Sequence, residues 1–202
     1  MFAASSKLKY PIETAATSIQ LLHRYATVVG DTAILELNHV ALISTLLFLS
    51  GKSTDQFRKP KEIFIVVLRV CGYSYQLEDH KYNELFEILL TLEQAILRAL
   101  AFQLDVSLPY KYLLNIARSL GLVSSQVKMA WGLVNDIMLH SEFANESPVL
   151  IAVATLYVGI ESFDEMVLIF TMYSNAITFL NDFIIDYSET FVASELVETL
   201  RQ

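Results

Sequence analysis

Glu93 is the residue whose type and surroundings most clearly indicate chemistry in this sequence. It lies between Leu90 and Leu97, within a stretch from Asn83 to Leu104 that is apolar at helical spacing on more than one face. A carboxylate in an otherwise apolar line requires a cation or a hydrogen-bond donor, from the same domain or from another chain. Glu93 is therefore predicted to bind such a cation or hydrogen-bond donor.

The remaining polar residues show no pattern of catalytic or metal-binding chemistry. The sequence contains no Gly-rich phosphate loop, no nucleophile elbow and no HExxH motif. The four histidines lack the spacing of metal ligands; they are His23, His39, His80 and His140. We therefore expect a protein that is not an enzyme and that holds no cofactor or metal ion.

Composition limits the class of protein and of partner. The chain has 202 residues, of which 54% are hydrophobic, and a formal net charge of -8. This acidic balance disfavours direct nucleic-acid binding, which needs a basic surface. The apolar runs are shorter than the roughly 20 residues of a membrane span. Since Cys71 is the single cysteine, an intrachain disulfide is excluded and a reducing compartment is indicated. A soluble intracellular protein without a membrane segment is expected.

The elements that must position Glu93 are predicted to be helices, so the fold class is all-α. The stretch around Glu93 is expected to be the central, buried helix. The segment after Pro60 has the β-branched content of a strand, but a helix is favoured because its neighbours are helical. Ser124 and Ser125 are expected to cap a helix. Periodicity and Pro/Gly punctuation predict the other helices after Pro11, over 34–51, after Pro109, over 126–140, after Pro148, and two or three more towards the C-terminus.

A faint duplication indicates two domains. The strings LLHR (21–24) and MLHS (138–141) each end a predicted helix, and each precedes a helix that is apolar and rich in small residues. The two strings lie about half a chain length apart. This arrangement predicts two helical repeats, residues 1–105 and residues 106–202.

A resemblance to the cyclins, in particular the transcription-type cyclins K, L and Q, is carried by three segments: FLSGKSTDQFRKPKEI (48–63), LEQAILRALAFQLDVSLPYKYLL (92–114) and VKMAWGLVNDIMLHSEFANESPVLIAVATLYVG (127–159). It covers about residues 10 to 190. The resemblance implies two tandem cyclin-like five-helix repeats. Because the chain begins close to Pro11, the first repeat is expected to lack most of its N-terminal helix. An exposed apolar patch is expected there unless a partner covers it.

The resemblance implies a non-catalytic regulatory subunit that binds and activates a cyclin-dependent serine/threonine protein kinase. In that mechanism the cyclin holds the regulatory helix of the kinase inward, so that its glutamate pairs with the lysine that anchors ATP. The cyclin shifts the population of kinase states and does no chemistry itself. A role in transcription regulation or the cell cycle is implied, with a location in the nucleus and also in the cytoplasm.

Five candidate kinase-binding residues follow from the same resemblance. Lys52 and Glu93 match the polar pair at the centre of the kinase-binding surface, and Leu97, Phe102 and Leu104 match its apolar lining. Truncating one member of such a buried pair costs about 3–5 kcal/mol. Two alternatives stay open: Lys52 and Glu93 bridge two helices internally, and the three apolar residues belong to the ordinary core.

One departure from the family pattern leaves other functions open. Ser53, Thr54 and Asp55 stand where the family usually has a pair of glutamates, which puts partner choice and affinity in question. A first alternative is a cyclin-fold scaffold that does not activate a kinase. A second is a protein resembling the general transcription factor of RNA polymerase II that has two cyclin-like repeats. That function needs a basic DNA-facing surface, which the net charge of -8 disfavours.

Overall fold

The computed structural model describes residues 1–73 and 77–159, and within these ranges the regular secondary structure is helical. The chain divides into two compact units, one over Met1–Ser107 and one that begins at Leu108. The predicted all-α class is confirmed. The assignment of the units as tandem five-helix repeats stays a prediction, since the helices predicted beyond residue 159 lie outside the described residues. No helix in the described ranges is long and apolar enough to cross a membrane.

The described part of the first unit contains α1 (Phe2–Lys7), α2 (Ile12–Val29), α3 (Asp31–Glu36), α4 (His39–Ser53), α5 (Pro60–Val70) and α6 (Asp79–Ala99). Pro60 opens α5, where the missing N–H of proline leaves no helical hydrogen bond unmade. The segment is therefore a helix and not a strand. Asn38 caps α4, because its Oδ1 accepts a hydrogen bond of 3.1 Å from the Ala41 N–H.

α4 lies at the centre of the first unit, where it packs against α2, α5 and α6. Nearly all of its residues from Ala41 to Gly51 are buried. Small residues such as Ser44 and Thr45 let the neighbouring helices approach closely. Packing is also close at Gly51, since a Cβ there would lie 2.7 Å from the Tyr10 hydroxyl. The expectation that the stretch around Glu93 forms the central helix is therefore wrong, because α4 has that position.

α6 is amphipathic. Its apolar residues lie in two stripes along the helix, and one of these stripes belongs to the core. The buried stripe comprises Leu85, Leu89, Leu92 and Ile96. On the second stripe, Leu90 is exposed and Leu97 is half-buried. The helix ends at Ala99 and does not extend to Leu104. The apolar residues therefore do lie on more than one face of α6, but only one face is fully buried, against α4 and α2.

The N-terminal residues form the short helix α1, which packs against α2 and α5. Ala4 and Leu8 are buried, and Met1 and Phe2 are half-buried. The apolar patch that was expected to be exposed at this end is therefore covered by the first eight residues, and that expectation is wrong.

The described part of the second unit contains α7 (Tyr110–Ser119), α8 (Ser124–Ile137), a 3-10 turn (Ser141–Phe143) and α9 (Pro148–Gly159). The Tyr110 hydroxyl donates to Asn135 Oδ1 at 2.9 Å and so ties α7 to α8. The predicted serine caps are wrong: Ser124 and Ser125 lie in the first turn of α8, and Val123 is the N-cap. Gln126 Oε1 accepts a hydrogen bond of 3.1 Å from the Val123 N–H, as one half of a capping box.

Candidate partner-binding site

Lys52 and Glu93 form an ion pair where the end of α4 meets α6. Lys52 lies in the last turn of α4, and Glu93 lies less than two turns before the end of α6. The packing of the two helices brings Lys52 Nζ to 2.6 Å from Glu93 Oε1. The lysine side chain is 43% exposed and the glutamate side chain 14%, so the pair lies at the surface of the unit. The structure thus brings together the two residues that the resemblance paired, and their role in kinase binding stays a prediction.

Two phenylalanines extend the surface around Lys52. Its Nζ lies 4.1 Å from the ring centroid of Phe48, one turn earlier in α4, which is a cation–π contact. The Phe48 ring is buried and lies 6.0 Å from that of Phe57, which is 58% exposed. Neither ring is among the five residues predicted for the site. The i, i+4 spacing of Phe48 and Lys52 on a helix was a usable signal, whereas nothing local marks Phe57 as exposed.

The three apolar candidates follow Glu93 along the chain and differ in how far they are buried. Leu97 is half-buried, on the same face of α6 as Glu93. Phe102 is 70% exposed and is not a core residue. Leu104 is half-buried and packs against the core. The core alternative is therefore excluded for Phe102, while Leu97 and Leu104 contribute to the core and are also partly exposed.

We call Phe48, Lys52, Phe57, Glu93 and Phe102 the α4–α6 surface, because they lie at the ends of α4 and α6 and in the segments that follow. Phe57 and Phe102 are exposed, and aromatic side chains are enriched at protein–protein interfaces. Within the described residues, no group of three or more His, Cys, Asp or Glu side chains is placed to hold a metal ion. The arrangement is suited to recognising another protein.

The loop between α4 and α5, which carries Phe57, is held by contacts to Tyr10. Burial raises the pKa of Tyr10 to about 12, and the Tyr10 hydroxyl has no hydrogen-bond partner among the described residues. The Arg58 guanidinium lies 5.7 Å from the Tyr10 ring centroid, and Arg58 Nε donates a long hydrogen bond of 3.4 Å to the carbonyl of Leu8. Because Tyr10 also contacts Gly51, one ring fixes the end of α4 and the start of this loop together.

Sequence comparison finds distant relatives of this chain, although no family model matches it. It is 28% identical to Cyclin-K of Danio rerio over 166 residues, which cover 79% of this chain and 37% of that protein. Its relatives are cyclins. It is also 28% identical to the cyclin pch1 of Schizosaccharomyces pombe, over 77% of this chain and 46% of pch1. With Cyclin-T1-2 of Oryza sativa subsp. japonica the identity is 29%, over 76% of this chain and 25% of the relative. The chain spans less than half the length of these cyclins.

The fold also matches a solved structure. It superposes on a chain from the crystal structure of the yeast RNA Pol II CTD kinase CTDK-1 complex with a TM-score of 0.68 at 19% sequence identity. The match covers 77% of this chain and 50% of that chain. The predicted resemblance to the cyclins, with cyclin K among them, is therefore confirmed in sequence, and the fold is shared with a chain of that complex.

Proposed function

We propose that this chain is a non-catalytic regulatory subunit that binds a cyclin-dependent serine/threonine kinase and activates it in transcription, in the nucleus. The observation that carries the proposal is the Lys52–Glu93 ion pair, which lies at the surface and contacts the Phe48 ring, next to the exposed ring of Phe57. The class of partner is supported by the cyclin relatives and by the structural match to a chain of a CTD kinase complex.

The α4–α6 surface would act by binding the active state of the kinase more tightly than the inactive state. Lys52 Nζ has donors left after its bond to Glu93, and Glu93 has acceptor capacity left. Backbone groups of a kinase segment can satisfy both, while Phe57 and Phe102 are exposed and available to be buried. A surface that makes these contacts to one kinase conformation only shifts the population towards it.

The test is co-purification of the whole chain with a panel of cyclin-dependent kinases, each assayed for phosphoryl transfer with and without the chain. Glu93→Ala is expected to abolish both binding and stimulation. Lys61→Ala is the matched control, because Lys61 forms a similar ion pair, at 2.9 Å, with Asp79. Asp79 is 14 residues before Glu93, about 21 Å away along α6.

The outcomes separate the proposal from its alternatives. Stimulation of one kinase that is lost in Glu93→Ala and kept in Lys61→Ala supports it. Binding without stimulation in every case would indicate a cyclin-fold scaffold. Salt-dependent binding to duplex DNA, with no kinase bound, would indicate a protein of the general-transcription-factor type.

A further inference from the structure

The segment that displays Phe102 has an unusual backbone. The Ala101 N–H donates to the Arg98 carbonyl at 3.1 Å and the Phe102 N–H donates to the Leu97 carbonyl at 2.8 Å, which is a Schellman ending of α6. Glycine usually occupies the left-handed position of this motif, but here Ala101 (φ 49°) and Phe102 (φ 61°) are both left-handed. Two successive left-handed residues with side chains are strained, so contacts from elsewhere must hold the turn.

Arg24, in the second half of α2, provides such a contact. Its Nη1 donates to the carbonyl of Asp105 at 3.1 Å, and a longer hydrogen bond of 3.5 Å reaches the carbonyl of Gln103. These bonds join residues about 80 positions apart in the sequence. Among the described residues, Arg24 has no carboxylate as a salt-bridge partner, so its charge is directed at the backbone of the segment that follows Phe102.

We propose that Arg24 is a positioning residue for the α4–α6 surface: by binding the carbonyls at 103 and 105 it holds the left-handed turn that presents Phe102 to the kinase. The inference rests on the proposed function. Phe102 makes the contact with the partner, and Arg24 acts only through it. A turn fixed before association loses less conformational freedom on binding than a mobile one, and this favours the complex.

The loss of Arg24 is expected to have a different effect from the loss of a residue that stabilises the whole fold. Arg24 is half-buried, and its two acceptors lie in the exposed segment directly after the turn and not in the core, so its loss is expected to loosen the turn locally. Loss of a general stabiliser would instead lower the melting temperature and accelerate amide exchange throughout the first unit.

The test uses the whole chain with the kinase that co-purifies with it, in the variants Arg24→Ala, Phe102→Ala and the double variant, with Arg24→Lys as the conservative replacement. In the free chain, Arg24→Ala is expected to accelerate amide exchange over 101–105 and chymotryptic cleavage after Phe102. Kinase affinity is expected to fall about tenfold through faster dissociation. Arg24→Lys retains a donor at this position and is expected to recover part of that loss.

The double variant decides the mechanism. If Arg24 acts through Phe102, Arg24→Ala weakens kinase binding in the parent chain but causes no further loss in the Phe102→Ala background. A loss that persists undiminished in that background, or unchanged exchange over 101–105, would overturn the positioning role and leave the proposed function standing. If the unaltered chain binds no kinase in the panel, the proposed function fails and the role assigned to Arg24 fails with it.

Discussion

Replacing one member of the Lys52–Glu93 pair is expected to weaken kinase binding much more than it destabilises the free chain. Two unit charges 2.6 Å apart attract by about 1.6 kcal/mol at the dielectric constant of water, and by about 6 kcal/mol at an effective value of ~20. Because the Lys52 side chain is 43% exposed, the lower figure is the better guide for the free chain. Ordering the lysine side chain costs conformational entropy, which offsets part of this attraction. Lys52→Met should therefore lower the unfolding free energy by about 0.5–1 kcal/mol.

On the proposed function a kinase covers the same pair in the complex, and a missing charge then costs more. A charge left unpaired in a buried interface costs about 2–5 kcal/mol, so Lys52→Met should weaken kinase binding by about 30- to 4,000-fold. Glu93→Gln, which keeps the shape of the side chain but removes its charge, should fall in the same range. The loss expected for a buried pair in the free chain, about 3–5 kcal/mol, does not apply to a lysine this exposed.

The assays are urea unfolding followed by circular dichroism for the free chain, and titration calorimetry with the kinase for the complex. Lys61→Met is the control, since it removes an ion pair that lies outside the α4–α6 surface. A loss of unfolding free energy as large as the loss of binding free energy would refute the reasoning. In that case Lys52 and Glu93 would serve only as a bridge between α4 and α6.

Three further predictions concern stability. Gly51→Ala should cost about 1–3 kcal/mol in urea unfolding, because the added Cβ would lie 2.7 Å from the Tyr10 hydroxyl. Gly132→Ala should instead stabilise by about 0.5–1 kcal/mol, since outside the surrounding turns of α8 the added Cβ would meet no described atom within 4 Å. Ala101→Gly should raise the melting temperature, since glycine adopts φ 49° without strain, and no gain would indicate a relaxed turn. The pKa of Tyr10 is about 12 in the folded chain, so as the pH rises this tyrosine ionises first in the unfolded chain, and the free energy of unfolding should fall between about pH 10 and pH 12. Tyr10→Phe should remove part of that fall. A pH profile unchanged by the substitution would contradict the burial of Tyr10 as its cause.

The fold class and most helix positions could be predicted because local signals determine them. Pro60 and Pro148 each open a helix, since proline lacks the N–H that the first turn does not use. The break between α3 and α4 has a local signal too, in Asn38 as the N-cap of α4, although the predicted helix ran through it. The identity of the central helix had no such signal. Burial of α4 depends on three helices packing around it, which the spacing of apolar residues within one helix does not reveal.

The site was less accessible to prediction because its members are far apart in the sequence. Lys52 and Glu93 are separated by 41 residues, and no local spacing rule pairs them; the resemblance to the cyclins did. The exposure of Phe57 depends on the path of a loop, and the role proposed for Arg24 depends on hydrogen bonds to carbonyls about 80 residues away. Both are properties of tertiary structure, so neither could be read from the sequence.

The central position of α4 has a thermodynamic consequence for partner binding. α2, α5 and α6 pack around α4, so the helix that carries Lys52 is already folded and packed in the free chain. Association then requires no folding of α4 or its neighbouring helices. The heat-capacity change of binding should therefore reflect the apolar area buried at the interface, without an additional contribution from coupled folding. The rate of association should accordingly depend on orientation and charge, as in the docking of two preformed surfaces.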